Sequence, residues 1–392
     1  MLTPEEYRTL LCERVPLLPA VQVPPALSVG STLAADAVSS VLLPGFDNSA
    51  MDGYAVRAAD LPATLPVSLD IPAGDTRTLR LEAGQCARIM TGAPLPAGAD
   101  AVVQVENVVV SGSSVQFPAA VPVGTAVRSA GSDVKPGDLV LAAGTRIAPT
   151  QLPALLSCGA SALSVRRPAR VAVISTGDEL RDSGSDLLPG QLVDSNGPTM
   201  AALATAAGHE VTFVGRVGDT AEEVRRVLSA VAERADAVIT SGGVSAGAYE
   251  PLKLAFQDSG ELDFYSVAMQ PGKPQGFGIL DGTPVFALPG NPVSVVVSFL
   301  VLVAPALRAM SGDDAPIRTV HAQAAAPWRR VDHRSQFARI RFTDDGRVEP
   351  AGGHGSHLIG GLAGADGLAI VPAGSPDIAV GDWVRVIRFP GR

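Results

Sequence analysis

The rhythm of apolar and polar positions changes four times along the chain. Thr3-Pro4-Glu5-Glu6 reads as a helix start, with Thr3 able to cap, Pro4 suited to the first turn and Glu6 completing a capping box. That helix should stop before Pro16. From residue 28 to 148, short Val, Leu and Ile runs are broken by Gly, Pro and Asp, and no helical period persists. This predicts a β-rich region. Residues 149–159 read as a short helix ended by Gly159.

A strand–helix alternation begins at Arg167. Arg170 to Ser175 is an expected buried strand, Asn196-Gly197-Pro198 starts a helix ending at Gly208, and Glu210 to Val217 is a strand. Asp219, with Glu222 three residues on, is the expected cap of the next helix. Ala237 to Thr240 and Thr283 to Leu288 are further strands. Pro289-Gly290-Asn291-Pro292 then leads into a long apolar helix. Such alternation predicts a parallel sheet covered on both faces. The run Val293 to Leu307 is shorter than the roughly 20 residues a bilayer needs and contains Pro305, so it reads as a buried helix. Beyond residue 315, Arg339 to Phe342, Leu368 to Val371 and Trp383 to Phe389 look like strands of a small β-barrel.

Composition narrows the function classes. The net charge of −9 argues against a nucleic-acid surface while leaving room for a local basic pocket. Cysteines at 12, 86 and 158 have neither metal-ligand nor redox spacing, which suggests reduced thiols in the cytoplasm. The N-terminus lacks the pattern of a secretory signal. Lysine occurs only at 135, 253 and 273, every other basic residue being Arg or His. A scarce Lys marks places where a compact ammonium is needed.

In open α/β sheets, ligands sit beyond the carboxyl ends of the strands. Three expected loops leave such ends: Ser175-Thr176-Gly177-Asp178-Glu179, Ser241 to Gly247, and Leu288 to Asn291. Glycines there let backbone N–H groups face an anion, and the hydroxyls of Ser241 and Ser245 add donors. The middle loop has neither P-loop nor dinucleotide spacing. Met269-Gln270-Pro271-Gly272-Lys273-Pro274 holds one lysine in a stiff turn suited to phosphate or another oxyanion. Asp178, Glu179, Asp194, Asp219 and Glu250 fall near loop ends and could bind Mg²⁺, although Asp219 also reads as a cap and Asp178 as a turn former. His354 and His357 lack a third zinc ligand nearby. Asp47 and Asp52 stand in Phe46–Arg57 among turn formers, a make-up that serves either structure or chemistry.

Taken in order, Phe46–Arg57, Ile89–Pro94 with Gly98-Ala99-Asp100, Gly131–Asp138, Ser175–Leu180, Ser241–Gly247, Pro271–Pro274 and Leu288–Ser294 resemble the molybdopterin molybdenumtransferases, bacterial molybdate-insertion enzymes related to the gephyrin E domain. The likeness runs nearly end to end. It implies a multidomain α/β plus β fold in four parts: a linker and dimerisation domain (1–40 with 136–166), a β-rich insert (41–135), a molybdopterin-binding α/β domain (167–315) and a C-terminal β-barrel (316–392). It also implies a homodimer with sites shared between subunits. The substrates would be adenylylated molybdopterin and molybdate, with AMP released and Mg²⁺ assisting.

By the same resemblance, Asp52, Thr91 and Asp133 match functional positions of the β-rich part. Glu179, Asp219 and Glu250 are the implied metal carboxylates. Lys273, Pro274 and Ser294 match a molybdate-proximal set, and Arg339 and Ser356 match positions of the last domain. Asp194, Asn196, Ser241, Gly242, Gly243, Ser245, Pro289, Gly290 and Asn291 complete the implied substrate side. Two positions depart from many relatives: Glu250 stands where Asp is common, and Gln270 where Lys is common. Transient contacts with an adenylyltransferase and with apo-molybdoenzymes are expected; contacts with nucleic acid or membrane are not. Two other readings remain: a molybdopterin adenylyltransferase, which would need ATP and leaves the β-rich region without a use, and a non-catalytic scaffold of the same fold.

Overall fold

The computed structural model describes residues 1–244, 250–256, 259–330, 333–353 and 355–391. The first helix, Pro4–Arg14, carries the expected capping box: Glu6 N–H donates to Thr3 Oγ1 (3.1 Å) and Thr3 N–H to Glu6 Oε2 (2.8 Å). Its buried Tyr7 and Leu11 join the core formed by Val171, Val173, Phe277 and Leu307. The helix therefore packs with the α/β layers, although the 1–40 segment was expected in the linker. The linker proper is a small antiparallel sheet of Ala20–Val23, Leu163–Arg166 and Thr32–Leu33 over Ile147 and Leu155.

Between the halves of that linker lies the β-rich insert. Its six strands run in the order Ala101–Gln104, Gly53–Val56, Cys86–Ile89, Ala63–Ile71, Ser114–Phe117, Val109–Ser111. Two small cores, around Tyr54 and Phe117 and around Ile71 and Ile89, cover its faces.

The α/β sheet is mixed, not wholly parallel. Glu210–Val217, Arg170–Thr176, Ala237–Ser241 and Thr283–Leu288 run parallel, and Pro274–Leu280 and Leu262–Ser266 add antiparallel at one side. The reason lies in two residues. Asp281 (φ 51°) and Gly282 (φ 84°) form a two-residue turn with Leu280 opposite Thr283. Asp-Gly is the sequence signal of a tight hairpin, which forces antiparallel pairing. The helix Ala221–Ala232 is capped by Thr220, whose hydroxyl accepts from Glu223 N–H, and not by Asp219. The apolar helix extends over Pro292–Met310, nineteen residues, with a π-helical stretch at Phe299–Val303. It is long and apolar enough to cross a bilayer, yet Val295, Val297, Leu302 and Leu307 are buried in the protein core. That agrees with the buried-helix expectation.

The last region is a closed sheet of Ser335–Phe342, Gly367–Val371, Trp383–Arg388 and Val320–Gln323, with Val348–Pro350 beside the first. Ala324 bridges back to Val348, and Ala325 N–H donates to Val348 O at 2.7 Å. Met269–Gln270 pairs in parallel with Ser335 and Gln336, stitching this barrel to the α/β layers.

Candidate active site

The strand ends meet at one cavity of about 710 Å³. Glu179 enters from the loop after Arg170–Thr176, Gly242 and Gly243 from the loop after Ala237–Ser241, and Pro289, Gly290 and Asn291 from the loop after Thr283–Leu288. Lys273 and Pro274 line it from the stiff turn, Glu250 from another side, and Ser294 from the first turn of the apolar helix. Gly242 is needed for the loop to close. Its φ is +93°, and a Cβ there would lie 2.5 Å from Thr176 Oγ1. Lys273 is exposed and has no acidic partner among the described residues, so its charge is available to a ligand. A helix N-terminus adds positive potential at the same wall.

Other expected residues stand behind this surface. Asp194 Oδ1 accepts from Ser175 Oγ (2.9 Å), Asn196 N–H (3.1 Å) and Gly197 N–H (3.0 Å). It caps the helix Asn196–Ala206. Asn196 Nδ2 donates to Gly290 O at 2.7 Å and so fixes the Pro289–Asn291 loop. Ser241 is buried, with its hydroxyl unpartnered. Asp194 and Asn196 thus support the loops, and none of the three is among the residues that line the cavity. Ser245 and His354 lie outside the described residues.

The implied metal carboxylates do not form one cluster. Glu179 and Glu250 share the cavity, whereas Asp219 Oδ2 accepts from Asp178 N–H at 3.2 Å away from its lining. No group of three or more metal-ligating side chains occurs among the described residues. Two carboxylates beside an anion-binding wall still fit Mg²⁺, which commonly takes one or two protein carboxylates and draws other oxygens from phosphate and water.

Arg339 departs most from expectation. It is 6% exposed, and its guanidinium donates to the carbonyls of Leu358, Gly353 and Gly355. Burial pushes its pKa down. It anchors the turn that carries Ser356 and does not face the cavity itself. Ser356 does: its Oγ accepts from Asn291 Nδ2 (2.9 Å), and its carbonyl from Val293 N–H (3.3 Å). Arg334 and His357 are among the lining residues absent from the expected site. In the Gly355-Ser356-His357 turn the resemblance marked Ser356, while His357 stood out only as half of a weak metal pattern. Arg334 carried no motif beyond its place just before a strand.

A second constellation lies in the β-rich insert. Strand Asn48–Ser49 pairs with Val127–Arg128, Gly92 N–H donates to Ser49 O (2.8 Å), and Gly131 N–H to Pro44 O (2.9 Å). Three separate motifs thus converge on one corner. There Asp52 Oδ1 accepts from both Thr91 N–H (2.7 Å) and Thr91 Oγ1 (2.8 Å). The Thr91 backbone bond first, then its hydroxyl, holds the Asp52 carboxyl below its usual range. Asp52, Thr91 and Asp133 are all exposed, and none lines the α/β cavity of the same chain.

Residues 2–159 match the MoeA N-terminal region (domain I and II), 172–309 a probable molybdopterin binding domain, and 321–389 the MoeA C-terminal region (domain IV). The chain is 40% identical to molybdopterin molybdenumtransferase 2 of Mycobacterium tuberculosis, covering 97% of this chain and 98% of that one. It is 33% identical to the molybdopterin molybdenumtransferase of Haemophilus influenzae, over 99% of each. A crystal structure of a molybdopterin biosynthesis MoeA protein from Pyrococcus horikoshii superposes with a TM-score of 0.84, at 31% identity and 100% coverage of both chains. Motifs, domain order and full-length likeness agree, and the chain belongs to the molybdopterin molybdenumtransferase (MoeA) family.

Proposed function

We infer that this protein is a transferase of molybdenum cofactor biosynthesis that inserts molybdate into adenylylated molybdopterin and releases AMP. The observation that carries this is the 710 Å³ cavity itself. It brings an unpaired lysine, a helix N-terminus and glycine-rich backbone together with two carboxylates. That combination suits a multiply anionic substrate that brings its own phosphate oxygens to a hard cation. Lys273 and the Asn291–Ser294 turn hold oxyanions, and Glu179 and Glu250 would hold Mg²⁺ together with those phosphates. When bound, Mg²⁺ supplies charge neutralisation on the phosphate being cleaved.

Insertion exchanges molybdate oxygens for sulfur, so oxygen leaves as water and protons must move. On this reading the two cavity carboxylates, Glu179 and Glu250, serve Mg²⁺, and the proton step falls to the Asp52 corner. With its pKa lowered, Asp52 is an ionised acceptor at neutral pH, able to orient a proton or a water. Since Asp52 lies off the lining of its own chain's cavity, the reading places it over the cavity of a second subunit in a homodimer. The protein is placed in the cytoplasm, in transient contact with an adenylyltransferase that supplies substrate and with apo-enzymes that take the product. An adenylyltransferase reading would need ATP turnover and would leave the Asp52 corner idle. Incubating the protein with adenylylated molybdopterin, molybdate and Mg²⁺ should release AMP in step with molybdate uptake. AMP formation only when ATP is added would reverse the reading.

A further inference from the structure

The cavity's charge balance depends on a residue that no motif marked. Its charged lining is Glu179, Glu250, Lys273 and Arg334. Without Arg334 the wall would be net negative and would repel an anion. With it, the lining carries two cations and two carboxylates. Arg339 cannot substitute, because the carbonyls of Gly353, Gly355 and Leu358 engage its guanidinium in the interior. We propose that Arg334 is the second oxyanion-binding cation of this cavity, acting together with Lys273. The proposal rests on the function inferred above and names a residue of that same site.

The backbone geometry supports it. Ser335 N–H donates to Ala268 O at 2.8 Å, and Ser335 and Gln336 pair with Met269 and Gln270. Arg334 is thus fixed one residue from the segment that leads into the Lys273 turn. No acidic partner engages it among the described residues. Its planar fork grips two oxygens of a tetrahedral anion at once, whereas Lys273 acts as a point charge. The ligand chemistry is a tetrahedral oxyanion, either a phosphate of the pterin nucleotide or molybdate.

The test titrates the full-length protein with molybdate and, separately, with pyrophosphate, by calorimetry. Arg334→Gln should weaken at least one of these roughly tenfold or more, and the probe affected identifies the anion. Arg334→Lys should restore part of the loss, because charge returns without the fork. Arg347→Gln, at an exposed turn where Arg347 pairs with Asp345, controls for net charge and should bind as wild type. Melting temperatures check that each variant is folded. Wild-type affinity of Arg334→Gln for both probes, with Lys273→Ala weakened, would overturn the proposal and leave the functional reading standing. Unchanged affinity in both variants would overturn both.

Discussion

The α/β cavity and the Asp52 corner are built on opposite principles. The cavity gathers binding chemistry: glycine loops, an unpaired lysine and a helix end, on a sheet whose strand termini fix every loop. The corner gathers an acid whose carboxyl is held by two donors from one threonine, with Arg88 near enough to act on its charge. The cavity carries the anion-binding groups, and the corner carries an ionised carboxylate held by two donors. On the function proposed above, each is half of an active site. A C₂ dimer is the simplest way to join two such halves, since every interface then brings corner to cavity twice.

The sharpest way to break this comparison is Asp52→Asn. Asn keeps an oxygen for Thr91 N–H, so the corner should fold as before. Molybdate insertion is expected to fall by at least about 100-fold, the usual size of a lost acid–base group, with substrate affinity retained. If affinity and rate fall together, Asp52 belongs to the binding half and the division of labour is wrong. Lys273→Ala probes the other half and should show the converse pattern. Binding should weaken roughly 10- to 100-fold, as for loss of a charge-assisted hydrogen bond, with less effect on the rate at saturation. Kinetics under both limiting and saturating substrate would separate the two.

Mixing these two variants sharpens the geometry. If each site takes its corner from one subunit and its cavity from the other, a hybrid dimer has one intact site. At limiting substrate, where Lys273→Ala sites contribute little, random exchange restores roughly one quarter of wild-type activity, because half the dimers are hybrids and each has one working site of two. Hybrids that form, as shown by differently tagged chains co-purifying, but stay inactive would place both halves within a single chain.

The sequence revealed the two halves unequally, for physical reasons. Loops after buried strands were legible because glycine, proline and hydroxyl residues cluster where strands end, and Gly242 and Lys273 sit on the cavity wall as expected. The convergence at Asp52 was not legible from spacing, since it depends on pairing between residues 48–49 and 127–128, far apart in the chain. Nor was the fate of the arginines. Arg339 and Arg334 lie only five positions apart, yet the carbonyls of Gly353, Gly355 and Leu358 engage the first in the interior while the second lines the cavity. The cap is Thr220 and not Asp219, since both types can cap and Asp219 instead accepts from Asp178 N–H. The mixed sheet has its own local signal in the Asp281-Gly282 turn, which strand–helix alternation alone does not carry.

The smallest expected effect tests the corner's internal logic. Thr91→Val removes the hydroxyl donor to Asp52 and keeps the backbone N–H, which is the larger cause of the lowered pKa. The Asp52 pKa should therefore rise toward its ordinary value of 3.8 without reaching it. Asp52 works ionised, so activity is lost as pH falls through its pKa. Raising that pKa moves the acid limb of the kcat profile to higher pH and leaves the neutral plateau nearly level. An unmoved limb would mean that the hydroxyl only orients the carboxylate, and the plateau would then drop instead. Either result is read against Asp52→Asn, in which the limb assigned to this carboxylate should vanish altogether.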